Sequence, residues 1–190
     1  GGLFMYLAIR SFKVSQAASL FGSIAFMFSS YLITWMENGN ISHSYIWLPL
    51  IFYSVNKYFE NNKFRYLIAI ILSLSLSILA GHPQTAIYLF MATFLFWVFK
   101  INSKKETLKK NLLVIMLVFF LSFTLSAIQI FPTFSFYKES PISLPFSKEV
   151  FDRSIMPYQN LLTFFASDFF GHAATNNFWS HTYGDFTPHF

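Results

Sequence analysis

The chain has 190 residues, 55% of them hydrophobic and 11% charged, and its 13 Lys and Arg against 8 Asp and Glu leave a formal net charge of +5. That balance lies outside the range of soluble globular domains and marks a membrane chain. With no cysteine, a disulfide frame, a thiolate metal site and a cysteine nucleophile are excluded.

Apart from His82, no acidic or basic side chain interrupts Val14–Met36, Ser44–Asn56, Tyr66–Phe99 or Asn111–Tyr137. Several of these stretches are long enough to cross about 30 Å of hydrocarbon as helix. They are apolar on all sides, whereas the strands of a membrane barrel alternate apolar and polar over about ten residues. SLSLSIL, Ser73–Leu79, does alternate, but it lies inside a longer apolar run and reads as serines on a packed membrane helix. The sequence therefore predicts an all-α, polytopic transmembrane helix bundle.

Three cation clusters set its threading, because short loops rich in Lys and Arg stay in the cytoplasm. They are Arg10 with Lys13, then Lys57, Lys63 and Arg65, then Lys100, Lys104, Lys105, Lys109 and Lys110. With all three inside, Gly1–Ile9 is the end of a truncated helix coming in, Val14–Met36 goes out and Tyr45–Tyr58 returns. Tyr66–Ala80 then goes out, Thr85–Phe99 returns and Asn111–Phe131 goes out, which makes about five full spans plus the truncated one. As a single helix Tyr66–Phe99 would be about 50 Å long. Gly81 and Pro83 must break it into a hairpin with GHPQ at its outer tip.

Small residues on the first outgoing helix, Ser15, Ser19, Gly22, Ser23, Ser29 and Ser30, predict close approach of a neighbouring helix. Tyr31, Trp35 and Trp47 are expected in the outer aromatic belt, and Tyr58, Tyr66 and Trp97 in the inner one. Residues 1–131 thus form the transmembrane bundle. Residues 132–190, punctuated by Pro132, Pro141, Pro145 and Pro157, form an extracytoplasmic loop region in which NLLTFFASDFF is expected as an interfacial helix with Asp168 at its wet end. The Gly1-Gly2 start and the end in polar sequence are those expected of a piece of a longer protein, inactive alone.

This threading places every histidine on the outer side. His82 and Gln84 form the sharpest pair, since polar side chains at a helix break near membrane depth are costly unless they face a cavity or partner. The imidazole suits contact with a phosphate or proton transfer and the amide suits orienting a hydroxyl; the plainer alternative is a good turn whose polar groups bond neighbouring loops. Glu37 and His43 flank another outer turn as a possible acid and base, or else a solvated loop. Asp168 with His172, and His181 with Asp185, have metal-binding spacing only if helical. Gly171 and Gly184 argue for loop there, so no cofactor is expected and a divalent metal is unsupported. The lysine-rich stretch near Lys104 suits anionic lipid and not nucleic acid.

Three segments carry a resemblance: GGLFMYLAIRSFKVSQAASLFGSIAFMFSSYLITWMENGNISHSYIWLPLIF, SLSILAGHPQTAIYLF and PYQNLLTFFASDFFGHAATNNFWSHTYGD. In their order and threading the chain resembles the YfhO family of bacterial multi-spanning membrane proteins, within the GT-C class of glycosyltransferases. The resemblance implies an enzyme of the cytoplasmic membrane that moves a sugar from a polyprenyl phosphate donor to a cell-envelope acceptor at the outer face. In that class the catalytic carboxylate commonly follows the first membrane helix, which places it upstream of Gly1. Glu37, His43, His82, Gln84, Asp168, His172, His181 and Asp185 are therefore candidates for lining the substrate cavity. A transporter or flippase for lipid-linked saccharides, or a noncatalytic scaffold, are the alternatives; an inverted repeat of the spans would favour transport.

Overall fold

The structure is a computed structural model that describes residues 1–36, 39–104, 107–139, 158–166, 169–171 and 177. Among these, every regular element is helical: α1 (Gly2–Ser11), α2 (Gln16–Met27), α3 (Ser30–Met36), α4 (Ile41–Tyr45), α5 (Leu48–Asn61), α6 (Phe64–Leu79), α7 (Pro83–Lys104), α8 (Leu108–Leu125), α9 (Ala127–Glu139) and a 3-10 helix, Tyr158–Phe164. The chain divides into two compact units, Gly1–Phe136 and Tyr137–Phe190.

Three stretches in the described residues are long and apolar enough to cross a membrane: Gln16–Met36, Pro83–Ser103 and Leu108–Leu125. By length and composition three qualify rather than about five. Phe64–Leu79 is apolar but shorter, and α5, expected as a full span, has 14 residues, about 21 Å of helix against about 30 Å of hydrocarbon.

In the first unit α5 and α6 are central. α5 is flanked by α1 and α7, α6 by α7 and α8, and α2 lies on α1. Close approach on α1 and α2 comes from small residues, as their spacing predicts. Ser19 and Ser23 are buried, and a Cβ on Gly22 would sit 2.5 Å from Ile9 Cδ1. The SLSLSIL serines are buried too, and one of them, Ser75, helps bridge α6 to α8. Ser75 Oγ donates to Ser122 O at 3.3 Å, Ser122 Oγ to Ile71 O at 3.3 Å and Ser126 Oγ to Ser75 O at 3.2 Å.

The three connections between α1 and α2, α5 and α6, and α7 and α8, with the helix ends that flank them, carry the described cations at one end of this unit. Asn56 fastens that end: its Nδ2 donates to Ser11 O at 2.7 Å, and its Oδ1 accepts from Lys100 Nζ. The Lys100 ammonium also lies over the rings of Phe12 and Phe96.

Several local expectations are corrected. Trp97, Tyr58 and Tyr66 do not form an inner belt but are buried in the core. Trp97 stacks on Tyr58 with ring centroids 5.2 Å apart and donates its indole N–H to Asn111 O at 3.1 Å, so its polar atom needs no headgroup region. Val14–Met36 is broken at Phe28 and Ser29, where Ser29 Oγ takes up Phe26 O at 2.9 Å. α9 runs through Pro132 to Glu139 instead of ending at Phe131; the proline removes the helical bond that Ile128 O would receive, a loss that membrane helices accommodate by local adjustment. In the second unit, the start of NLLTFFASDFF, expected as a helix, lies in the 3-10 helix. There Thr163 Oγ1 bonds back to Asn160 O at 2.7 Å.

Candidate functional site at the helix hairpin

The turn between α6 and α7 follows from four residues. Ala80 N and Gly81 N bond back to Leu76 O and Ile78 O, and Gly81 ends the helix with φ of +83°, the left-handed region that only glycine enters without strain. Nothing stands within 4 Å of a Cβ added there, so conformation and not space requires glycine. Pro83 then opens α7 at the position where a missing N–H costs nothing. The residue before a proline is held out of the helical region, which makes His82 the cap.

His82 caps through its side chain. The Thr85 amide donates to His82 Nδ1 at 3.2 Å, and Thr85 Oγ1 lies 2.7 Å from the same nitrogen. Ala86 N bonds to His82 O at 3.1 Å and closes the first turn. One turn on, Gln84 Nε2 donates to the Tyr88 hydroxyl at 2.7 Å. Thr85 is buried, His82 half-buried, and Gln84 and Tyr88 exposed.

His43 arrives at the same hairpin on α4. Asn40 Oδ1 accepts from Ile41 N at 2.6 Å and starts the short helix. Ser42 Oγ donates to Leu32 O at 2.9 Å, and Ser44 Oγ donates to Ser77 O at 3.0 Å, in the last turn of α6. α4 thus packs on α6 and α7 beside the turn, with the His43 side chain exposed. Of the candidate residues, His43, His82 and Gln84 are therefore brought to one end of the first unit, opposite Arg10, Lys13, Lys63, Arg65, Lys109 and Lys110. Glu37, Asp168, His172, His181 and Asp185 lie outside the described residues. Among those described, no three His, Asp or Glu side chains come together as a metal site.

Thr85 and Tyr88 were not singled out by sequence reasoning, although both carry the hairpin's hydrogen bonds. A hydroxyl-bearing residue three positions after the cap, in the turn that Pro83 opens, is the available signal. It is muted here because histidine is not among the usual capping residues.

The arrangement offers two imidazoles, an amide and a phenol beside exposed apolar flanks of α7 that include Ile87 and Met91. Such a place can hold a polar head whose tail lies in lipid. No curated protein and no solved structure matches the chain. Residues 1–186 match the family described as bacterial membrane protein YfhO, which agrees with three apolar helical stretches of membrane-crossing length among the described residues; the chain belongs to the YfhO family of bacterial membrane proteins.

Proposed function

We propose that the protein is an integral membrane glycosyltransferase that takes a sugar from a polyprenyl phosphate donor and gives it to a cell-envelope acceptor at the outer face. The observation that carries this reading is the polarity of the first unit. Its cations gather at one end, while at the other α4, which carries His43, packs on α6 and α7 beside the hairpin that carries His82 and Gln84. With the cations inside, the hairpin opens to the outer leaflet, where a lipid-linked donor presents its phosphate.

In the reaction, the acceptor oxygen forms a bond to the anomeric carbon as the bond from that carbon to the phosphate oxygen breaks. The electron pair leaves with polyprenyl phosphate, and a carboxylate takes the acceptor's hydroxyl proton. His82 stabilises the departing phosphate and Gln84 orients a hydroxyl. Glu37, Asp168, His172, His181 and Asp185 are proposed to complete the cavity lining.

The test is sugar transfer by the intact protein in proteoliposomes supplied with a polyprenyl-phosphate-linked sugar. His82→Ser keeps a good helix cap and removes the imidazole, and it is expected to lower kcat by about 10²–10³-fold while the protein still inserts. A wild-type protein that transfers no sugar overturns the proposal. Unchanged kcat in His82→Ser removes His82 from it.

A further inference from the structure

We propose that Thr85 is a positioning residue that fixes the His82 imidazole in a single tautomer, with its proton on Nε2, so that His82 presents a hydrogen-bond donor and not a base. The inference deepens the transferase reading and rests on it for what that donor meets.

The hydrogen-bond partners dictate the tautomer. A backbone amide can only donate, and the Thr85 amide points at His82 Nδ1 from 3.2 Å. Nδ1 must therefore carry a lone pair, and the Thr85 hydroxyl, 2.7 Å away, must donate to it as well. With Nδ1 occupied as acceptor, the ring proton of the neutral imidazole sits on Nε2. The opposite tautomer would set a ring proton against the amide proton. Because Thr85 is 3% exposed, water has little access to replace the lost acceptor.

The chemical consequence is a division of labour. A nitrogen that already holds its proton cannot accept the one released by an attacking hydroxyl. It can donate a fixed hydrogen bond to an anionic phosphate oxygen as charge builds there, with no proton changing hands. His82 thus serves the leaving phosphate, and the acceptor's proton goes to a carboxylate elsewhere.

The experiment uses the intact protein, labelled with 15N-histidine and held in lipid nanodiscs, with the His82 ring signals identified by their loss in His82→Ser. At neutral pH the expected spectrum shows a protonated Nε2 and an unprotonated Nδ1. Thr85→Ser is expected to keep both this spectrum and transfer, whereas Thr85→Val keeps the amide and with it the unprotonated Nδ1 but loses the hydroxyl that holds the ring in place, and it is expected to lower kcat about tenfold, part of the effect of losing an aligned donor. A protonated Nδ1 in the wild-type protein overturns the proposal, as does a Thr85→Val protein with unaltered kcat. The two readings separate cleanly: the expected tautomer in a wild-type protein that transfers no sugar upholds the role of Thr85 and sinks the transferase.

Discussion

Replacing Asn56 with alanine is expected to weaken the cation-bearing end of the bundle by about 2 kcal/mol. Asn56 is 3% exposed and joins three helices through two groups. Its Nδ2 holds Ser11 O at the end of α1 at 2.7 Å, and its Oδ1 holds Lys100 Nζ from α7. A neutral hydrogen bond contributes about 1 kcal/mol and one to a charged donor about 1.5–3 kcal/mol. Bonds between membrane helices average nearer 0.6 kcal/mol, because separated helices find other partners. The reasoned figure of about 2 kcal/mol therefore lies just below the summed range of about 2.5–4 kcal/mol. The assay is reversible denaturation of the purified protein in mixed micelles, run as a double-mutant cycle with Lys100→Met. A coupling of about 1 kcal/mol or more between the two positions is expected. Additive effects, or an Asn56→Ala protein as stable as wild type, would refute the idea that this clip holds α1, α5 and α7 together.

Trp97→Phe removes the indole N–H bond to Asn111 O and part of the stack on Tyr58; a loss of about 2 kcal/mol is expected in the same denaturation assay, whereas a residue merely resting in an interfacial belt would show almost none. Gly81→Ala meets no neighbour but must hold φ near +83°, so a cost of about 1–2 kcal/mol is expected, and Gly81→Asn should cost less than alanine because asparagine tolerates that region. The chain has no cysteine, which permits single-cysteine labelling in intact cells: a cysteine at the exposed Gln84 should react with a membrane-impermeant thiol reagent, and one at the exposed Lys63 only after lysis. The reverse pattern would invert the threading and with it the outer placement of the hairpin.

The parts legible in the sequence are those where a local conformational rule acts alone. Gly81 and Pro83 had to end one helix and begin another, and they do so at Leu79 and Pro83. The three cation clusters had to share an end if the spans alternate, and the bonds of Asn56 to Ser11 O and Lys100 place parts of all three together. Trp97 was misjudged because a tryptophan near lysines satisfies two opposite descriptions, an interfacial anchor or a core ring, and only the position of Asn111 O decides between them. The break at Phe28 and Ser29 was equally hidden, since hydropathy is blind to a serine that bonds back to its own helix. At the hairpin, His82 stood out by the cost of burying it, yet its role as a cap depended on a threonine that looked like part of an apolar run.

The distribution of polarity across the first unit adds an argument for lipid that does not depend on helix length. Ser44, Ser54, Ser77, Ser122 and Ser126 are fully buried, while Phe21, Ile128 and Phe131 are each more than two-thirds exposed. In water this is the wrong way round, since burying hydroxyls costs free energy and exposing rings forgoes a larger gain. Against hydrocarbon the preference vanishes, because lipid tails solvate phenylalanine as well as another helix does, and helices then associate through small residues and hydrogen bonds. The serine bonds between α6 and α8 and the glycine contacts of α1 and α2 are that kind of association. A bundle held in this way places little demand on the identity of its outward residues and a strict one on its buried polar atoms. Among the described residues only Ser54 Oγ is buried without a partner. Hydrogen-bonding side chains left exposed at the hairpin, Gln84 and His43 above all, then stand apart from the requirements of assembly, and they are the groups that the proposed transferase would turn to a polar ligand.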